Sequence, residues 1–162
     1  MSTPRSSLQI RVAEEADAQK LTDLINLAFS GAEQFFVDED RIDLPTVLSL
    51  LDWGNFLVAE VDEAIVGTVY LEPRGERMYL GLLSVDPSTQ QTGFGSELMS
   101  AAEDHSRERN AHFIDILIVN LREDLPAFYQ KRGYVETGTS PFPTEIRTKL
   151  PCHFINMSKA LV

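Results

Sequence analysis

Residues 80–100, LGLLSVDPSTQQTGFGSELMS, constrain this chain most. An apolar run ends at Asp86-Pro87, a short polar loop follows, and Gly93-Phe94-Gly95 opens a segment of helical character. Strand, glycine loop and helix N-terminus form one of the few arrangements that hold phosphate with backbone atoms alone. The first N–H groups of a helix lack intrahelical partners, and the helix dipole adds partial positive charge there. Glycines remove the Cβ atoms that would keep a pyrophosphate away.

The commoner nucleotide loops do not fit. A Walker A loop ends in Gly-Lys-Ser/Thr, and no lysine occurs between Lys20 and Lys131. A dinucleotide fingerprint needs a third glycine or alanine where this chain has Leu98. An ordinary Gly-x-Gly turn and a Gln-x-x-Gly-x-Gly loop, Gln90-Gln91-Thr92-Gly93-Phe94-Gly95, remain.

Alternation of apolar and polar residues predicts a strand over Leu8–Ala13. Ala18, Leu21, Leu24, Ile25, Ala28 and Phe29 then give the spacing of an amphipathic helix over Glu14–Ser30, with Gly31 as a stop signal. The acidic 33–43 region precedes a short helix over Leu44–Trp53. Asn55–Glu60, Ala64–Glu72 and Arg77–Val85 read as an antiparallel run, with turns at Asp62-Glu63 and Pro73–Glu76. A helix runs from the glycine loop to about Arg109. Phe113–Val119, nearly all apolar, suits a central strand covered on both faces. A short helix over Leu125–Arg132, a strand from Tyr134, a proline-rich loop over Ser140–Pro151 and a last strand over Cys152–Ala160 complete the chain. The pattern predicts one α/β domain over residues 1–162 with a mixed sheet.

Acidic residues outnumber basic ones by 25 to 14, which argues against nucleic acid as the main partner and suits a cationic small substrate. No apolar run approaches the ~18–20 residues that cross a bilayer, and MSTPRSSLQIRV lacks a signal-peptide core. A soluble, cytoplasmic protein is the expectation, without membrane association. Cys152 is the only cysteine, which leaves no intrachain disulfide and no multi-cysteine metal site. No metal is expected.

After LLSVDP, the QQTGFG loop resembles the acyl-CoA signature of the GCN5-related N-acetyltransferase (GNAT) superfamily. A second feature of that family is a strand ending in Asn, followed by a short helix with an aromatic pair and a glycine. Here ILIVN and AFYQKRGYVETG supply it, in the right order and at about the right distance. The resemblance spans about Tyr79 to Gly138. It implies a mixed, mostly antiparallel sheet of 6–7 strands flanked by about four helices. It also implies two parallel strands that splay apart at the cofactor site, here Arg77–Val85 and Phe113–Val119.

Roles follow from the resemblance. Leu83, Ser84 and Val85 would offer free backbone groups to pantetheine. Gln90, Gln91, Thr92, Gly93, Phe94, Gly95 and Ser96 would hold the pyrophosphate. Asn120 would meet the pantetheine arm or a bridging water, and Arg122, Lys131 and Arg132 are candidates for the 3′-phosphate of CoA. Tyr129 aligns with the tyrosine that many members point at the thioester sulfur, where a phenol can protonate the leaving thiolate. Glu72 is the first candidate for the base, ahead of Asp115 and His153.

The implied reaction is direct attack of a primary amine on acetyl-CoA in a ternary complex, with a small molecule as the expected acceptor. Two alternatives stand beside it, a protein N-terminal or lysine acetyltransferase and a non-catalytic acyl-CoA-binding regulatory module. The resemblance also admits a homodimer, since a C-terminal strand such as CHFINMSKA often lies where family members pair.

Overall fold

The computed structural model describes residues 8–37, 39–89 and 93–161. A seven-stranded sheet is flanked by four α-helices. The strands are β1 (Gln9–Val12), β2 (Asn55–Val61), β3 (Ala64–Arg74), β4 (Arg77–Val85), β5 (Phe113–Val119), β6 (Val135–Pro141) and β7 (His153–Ala160). The helices are α1 (Ala18–Glu33), α2 (Leu44–Trp53), α3 (Phe94–Glu108) and α4 (Leu125–Gln130). Sheet order is β1-β2-β3-β4-β5-β7-β6, and among the described residues only β4 and β5 pair in parallel. That parallel pair needs a crossover, and α3 lies in it.

Alternation along the central strands divides the core in two. Phe56, Val58 and Tyr70 face Leu21 and Ile25 of α1 and Val47 of α2. Leu57, Ala59, Val69 and Leu71 face the other way, into a cluster with Leu98 and Met99 of α3 and with Tyr129 and Tyr134. Helix α3 lies so close to the sheet that a Cβ on Gly67 would fall 2.8 Å from Leu98 Cδ1. Leu98 is fully buried, so its truncation to alanine costs about 2–5 kcal/mol.

Three local expectations change. Helix α1 runs past Gly31 to Glu33. Gly31 keeps an ordinary helical conformation, and the Gln34 amide still reaches Ser30 O at 3.2 Å. Pro73 sits inside β3, opposite Met78, because β2 has already ended opposite Leu71 and no partner needs the missing N–H. The turn instead uses Gly75 at φ +64°. Strand β5 is fully covered on one face and only partly on the other. Ile114, Ile116 and Ile118 are buried, whereas Leu117 is 41% exposed.

The β4–β5 ladder stops early, at Leu80 opposite Ile116. The two strands run on to Val85 and Val119 without pairing each other. A bulge accompanies the split. Thr68 pairs with Ser84 and Tyr70 with Gly81, so Val69 alone opposes Leu82 and Leu83. Leu82 holds φ +55°, an unusual state for a leucine, which turns β4 away from its neighbour.

Candidate active site

The opening between β4 and β5 forms part of a cavity of about 750 Å³. Leu80, Gly81, Leu82 and Leu83 line it from β4, and Ile116 to Val119 line it from β5. Past Leu80, the β4 edge that faced β5 carries backbone groups without a strand partner. Ser84 is buried and donates its hydroxyl hydrogen to Leu82 O at 2.9 Å, which braces the bulge. Val85 ends β4 and packs on the α3-side core, where its Cγ2 lies 3.8 Å from the Cβ position of Gly95.

Gly93 occupies the N-cap of α3 at φ +84°, with open space where a Cβ would stand. Among the described residues no side chain caps this end. By helix geometry the amides of Phe94, Gly95 and Ser96 lack intrahelical acceptors. Arg132 reaches across to this first turn. It donates to Ser96 Oγ and, at 2.7 Å, to Phe128 O, with its guanidinium stacked 3.9 Å above the Phe128 ring. The end of α3 therefore combines a glycine cradle, free amides and one cation. Gln90, Gln91 and Thr92, assigned to the same loop from sequence, lie outside the described residues. Ser96, Lys131, Arg132 and Lys159 also border a smaller recess of about 350 Å³.

Asn120 sits just past the tip of β5. Its Oδ1 accepts from the His153 amide and its own amide donates to His153 O, both at 2.9 Å, which ties β5 to the start of β7. Tyr129, on α4, is buried and lines the large cavity. Phe128 and Tyr134 pack edge-on against its ring at 5.1 and 5.7 Å. The Tyr129 hydroxyl has no hydrogen-bond partner among the described residues. Burial pushes this phenol up to about 12, against the opposing pull of Arg122 and Arg132. It stays protonated at neutral pH and can donate.

Glu72 lines the same cavity from β3. The Tyr70 hydroxyl donates to its Oε1 and Arg74 Nε to its Oε2, both at 2.8 Å. Burial alone would raise this carboxyl, but the Arg74 and Tyr70 hydrogen bonds prevail and hold it below the ordinary range. Asp115 is not in the cavity wall. Arg77 clasps it at 2.6 and 2.7 Å and Ser158 donates to it at 2.5 Å. His153 is exposed at the start of β7. Arg122 lies in the large cavity rather than beside the α3 terminus. It forks onto Asp124 at 3.1 and 3.0 Å and donates to Glu33 Oε2 at 3.1 Å. Sequence reasoning left Glu33 unassigned beyond its place in an acidic region. Its one signal was a carboxylate at the end of an amphipathic helix.

Among the described residues no group of His, Cys, Asp and Glu is arranged to hold a metal ion, and no helix is long and apolar enough to cross a membrane.

The profile of the acetyltransferase (GNAT) domain matches residues 52–136, and the chain belongs to that family. A frog protein described as "Probable N-acetyltransferase camello" (Xenopus tropicalis) is 24% identical over 119 residues, 72% of this chain and 54% of its own length. The chain thus spans about half the length of that curated relative. The fold is shared with the ribosomal-protein-alanine N-acetyltransferase of Brucella melitensis, at TM-score 0.77, 23% identity and coverage of 94% and 99% of the two chains. It is shared equally with nourseothricin acetyltransferase, at TM-score 0.74, 18% identity and coverage of 96% and 99%.

Proposed function

We propose that this chain is an acyl-CoA-dependent N-acetyltransferase that moves an acetyl group from acetyl-CoA to the primary amine of a small molecule. The observation that carries the reading is the unpaired edge of β4 beyond Leu80, opening on the large cavity and leading to the glycine-capped end of α3. Acetyl-CoA supplies the activated acyl carbon. The residues present fit it. Leu83, Ser84 and Val85 lie on the β4 segment whose outer edge has no strand partner, where a pantetheine arm finds backbone groups to bond. Gly93, Phe94, Gly95 and Ser96 form the phosphate end with Arg132 beside them.

Tyr129 donates the proton that the departing sulfur needs. The β4 bulge supplies a backbone N–H to polarise the thioester carbonyl. Holding both substrates in one cavity accounts for most of the rate gain.

The acceptor side is aromatic and acidic, with Phe29, Tyr79 and Phe142 beside Glu33, Asp43 and Glu72. The loop between β6 and β7 is tied to the residues after α1, through the Lys149 amide and Phe36 O at 2.8 Å. That bridge narrows the acceptor side and favours a compact amine over a polypeptide.

Incubation with acetyl-CoA and a panel of small amines and peptides, with thiol detection, tests the reading. Thiol release with small amines is the expected result. Release with peptide N-termini alone transfers the acceptor to protein, and CoA binding without thiol release for any amine replaces the enzyme with a binding module.

A further inference from the structure

We infer that Glu33 is the proton acceptor for the attacking amine and that Arg122 holds it in place; this rests on the acyl-transfer reading above. Glu33 ends α1 and lines the large cavity together with Arg122 and Tyr129. The side chains of Glu33 and Arg122 are each 13% exposed. Arg122 spends two hydrogen bonds on Asp124 and one on Glu33 Oε2. Glu33 Oε1 has no hydrogen-bond partner among the described residues. One oxygen is therefore anchored and the other is left for a ligand.

Glu72, the rival carboxylate, offers neither oxygen freely, because Tyr70 and Arg74 take one each. The charged groups around Glu33 are Arg122 and Asp124 from the segment after β5 and Arg41 from the segment before α2. Burial pushes the Glu33 carboxyl upward, and this outweighs the opposing pull of Arg122 and Arg41. A carboxylate of raised proton affinity is the better base near neutrality. Arg122 also acts electrostatically on Tyr129, so one guanidinium lies close to both the proton acceptor and the proton donor.

The protons and electrons balance. An acceptor ammonium gives one N–H proton to Glu33 Oε1. The freed lone pair forms the N–C bond at the thioester carbonyl carbon, and the carbonyl π pair moves to oxygen. Return of that pair breaks the C–S bond, and sulfur, leaving with the bond pair, takes the proton of Tyr129. The second nitrogen proton restores Tyr129, and Glu33 releases its own to water.

The test compares wild type with Glu33→Gln and Glu33→Asp, using acetyl-CoA and an alkylamine that wild type accepts. CoA affinity by calorimetry and Tm are measured alongside. Glu33→Gln should lower kcat at pH 7 by about 10²-fold or more, and the deficit should shrink as pH approaches the pKa of the amine, which then arrives neutral. CoA affinity should stay within about 2-fold, and Glu33→Asp should recover part of the rate. A deficit that is constant with pH, or no deficit, overturns the assignment. Should Glu33→Gln fail to fold, carbon-detected titration of the wild-type Glu33 carboxyl decides. A midpoint above the ordinary glutamate range supports the inference, and one below it overturns it. A wild type that binds CoA but releases no thiol with any amine overturns the acyl-transfer reading itself and this inference with it. An active wild type with an unimpaired Glu33→Gln overturns this inference alone.

Discussion

Glu33, at the end of α1, and Glu72, on β3, line one cavity, and their surroundings push their carboxyls in opposite directions. Burial raises the first. Hydrogen bonds from Arg74 and Tyr70 overcome burial and lower the second. Two carboxyls driven apart in this way are suited to different tasks. Under the proposed acyl transfer the higher one would take protons, whereas the lower one stays ionised and holds Tyr70 and Arg74 in place.

Glu72→Gln should therefore weaken acceptor binding more than turnover. The amide has one acceptor oxygen, so it keeps the bond from Arg74, turns its NH2 toward the Tyr70 hydroxyl, and loses the negative charge. We expect a rise in acceptor KM of about 10-fold and a fall in kcat of less than that, since a charge-assisted hydrogen bond is worth about 1.5–3 kcal/mol. Steady-state kinetics with varied amine concentration checks this. A kcat loss approaching ~10³-fold would make Glu72 the base after all.

Tyr129→Phe removes, from a buried tyrosine, a hydroxyl that the described residues leave unpartnered. The ring and its packing on Phe128 and Tyr134 persist, so the fold loses little. Turnover should fall by about 10²-fold, the lower range for loss of a positioned acid, with acetyl-CoA affinity nearly unchanged. Thiol-release kinetics and calorimetry separate the two effects. Full activity would assign the leaving-group proton to another group or to water.

The periodic segments were legible in the sequence because period reflects burial. Leu44–Trp53 and Phe113–Val119 fold over the bounds that their patterns predict. The glycine loop and the aromatic pair Phe128-Tyr129 were legible as local strings. The β4 bulge was not, since its left-handed residue is Leu82, a type that carries no turn signal. Nor was the role of Pro73, which depends on where β2 stops. Glu33 and Arg122 lie 89 residues apart, and no local pattern joins them. Asp115 in FIDILIV reads as a buried charge, yet it sits on the partly exposed face of β5 with Arg77 as partner.

Gly93→Glu tests the phosphate end. A Cβ at this position meets nothing within 4 Å among the described residues, and φ +84° costs a non-glycine residue about 1–2 kcal/mol. A carboxylate there opposes a pyrophosphate on the same amides. CoA binding should be lost while the circular dichroism spectrum stays native. Gly93→Asn, which tolerates the left-handed backbone and adds no charge, should weaken binding far less. Unchanged CoA affinity in Gly93→Glu would remove the phosphate role from this helix end.

Asp115 should matter for stability and little for catalysis. The Arg77 hydrogen bonds, assisted by Ser158 and opposed by burial, hold its carboxyl below the usual aspartate range. A carboxyl depressed in the folded state adds stability above its unfolded pKa, near 3.9, and loses it as pH falls through the folded value. The pair is half exposed, with side chains 44% and 33% accessible, so solvent screens it and its worth is about 1 kcal/mol or less. Asp115→Asn should lower Tm by a few degrees at most at pH 7. That difference should close as the pH drops below about 4. Thermal unfolding from pH 7 down to pH 2 measures the convergence. A kcat loss of ~10²-fold with an unchanged Tm would instead place Asp115 among the catalytic groups.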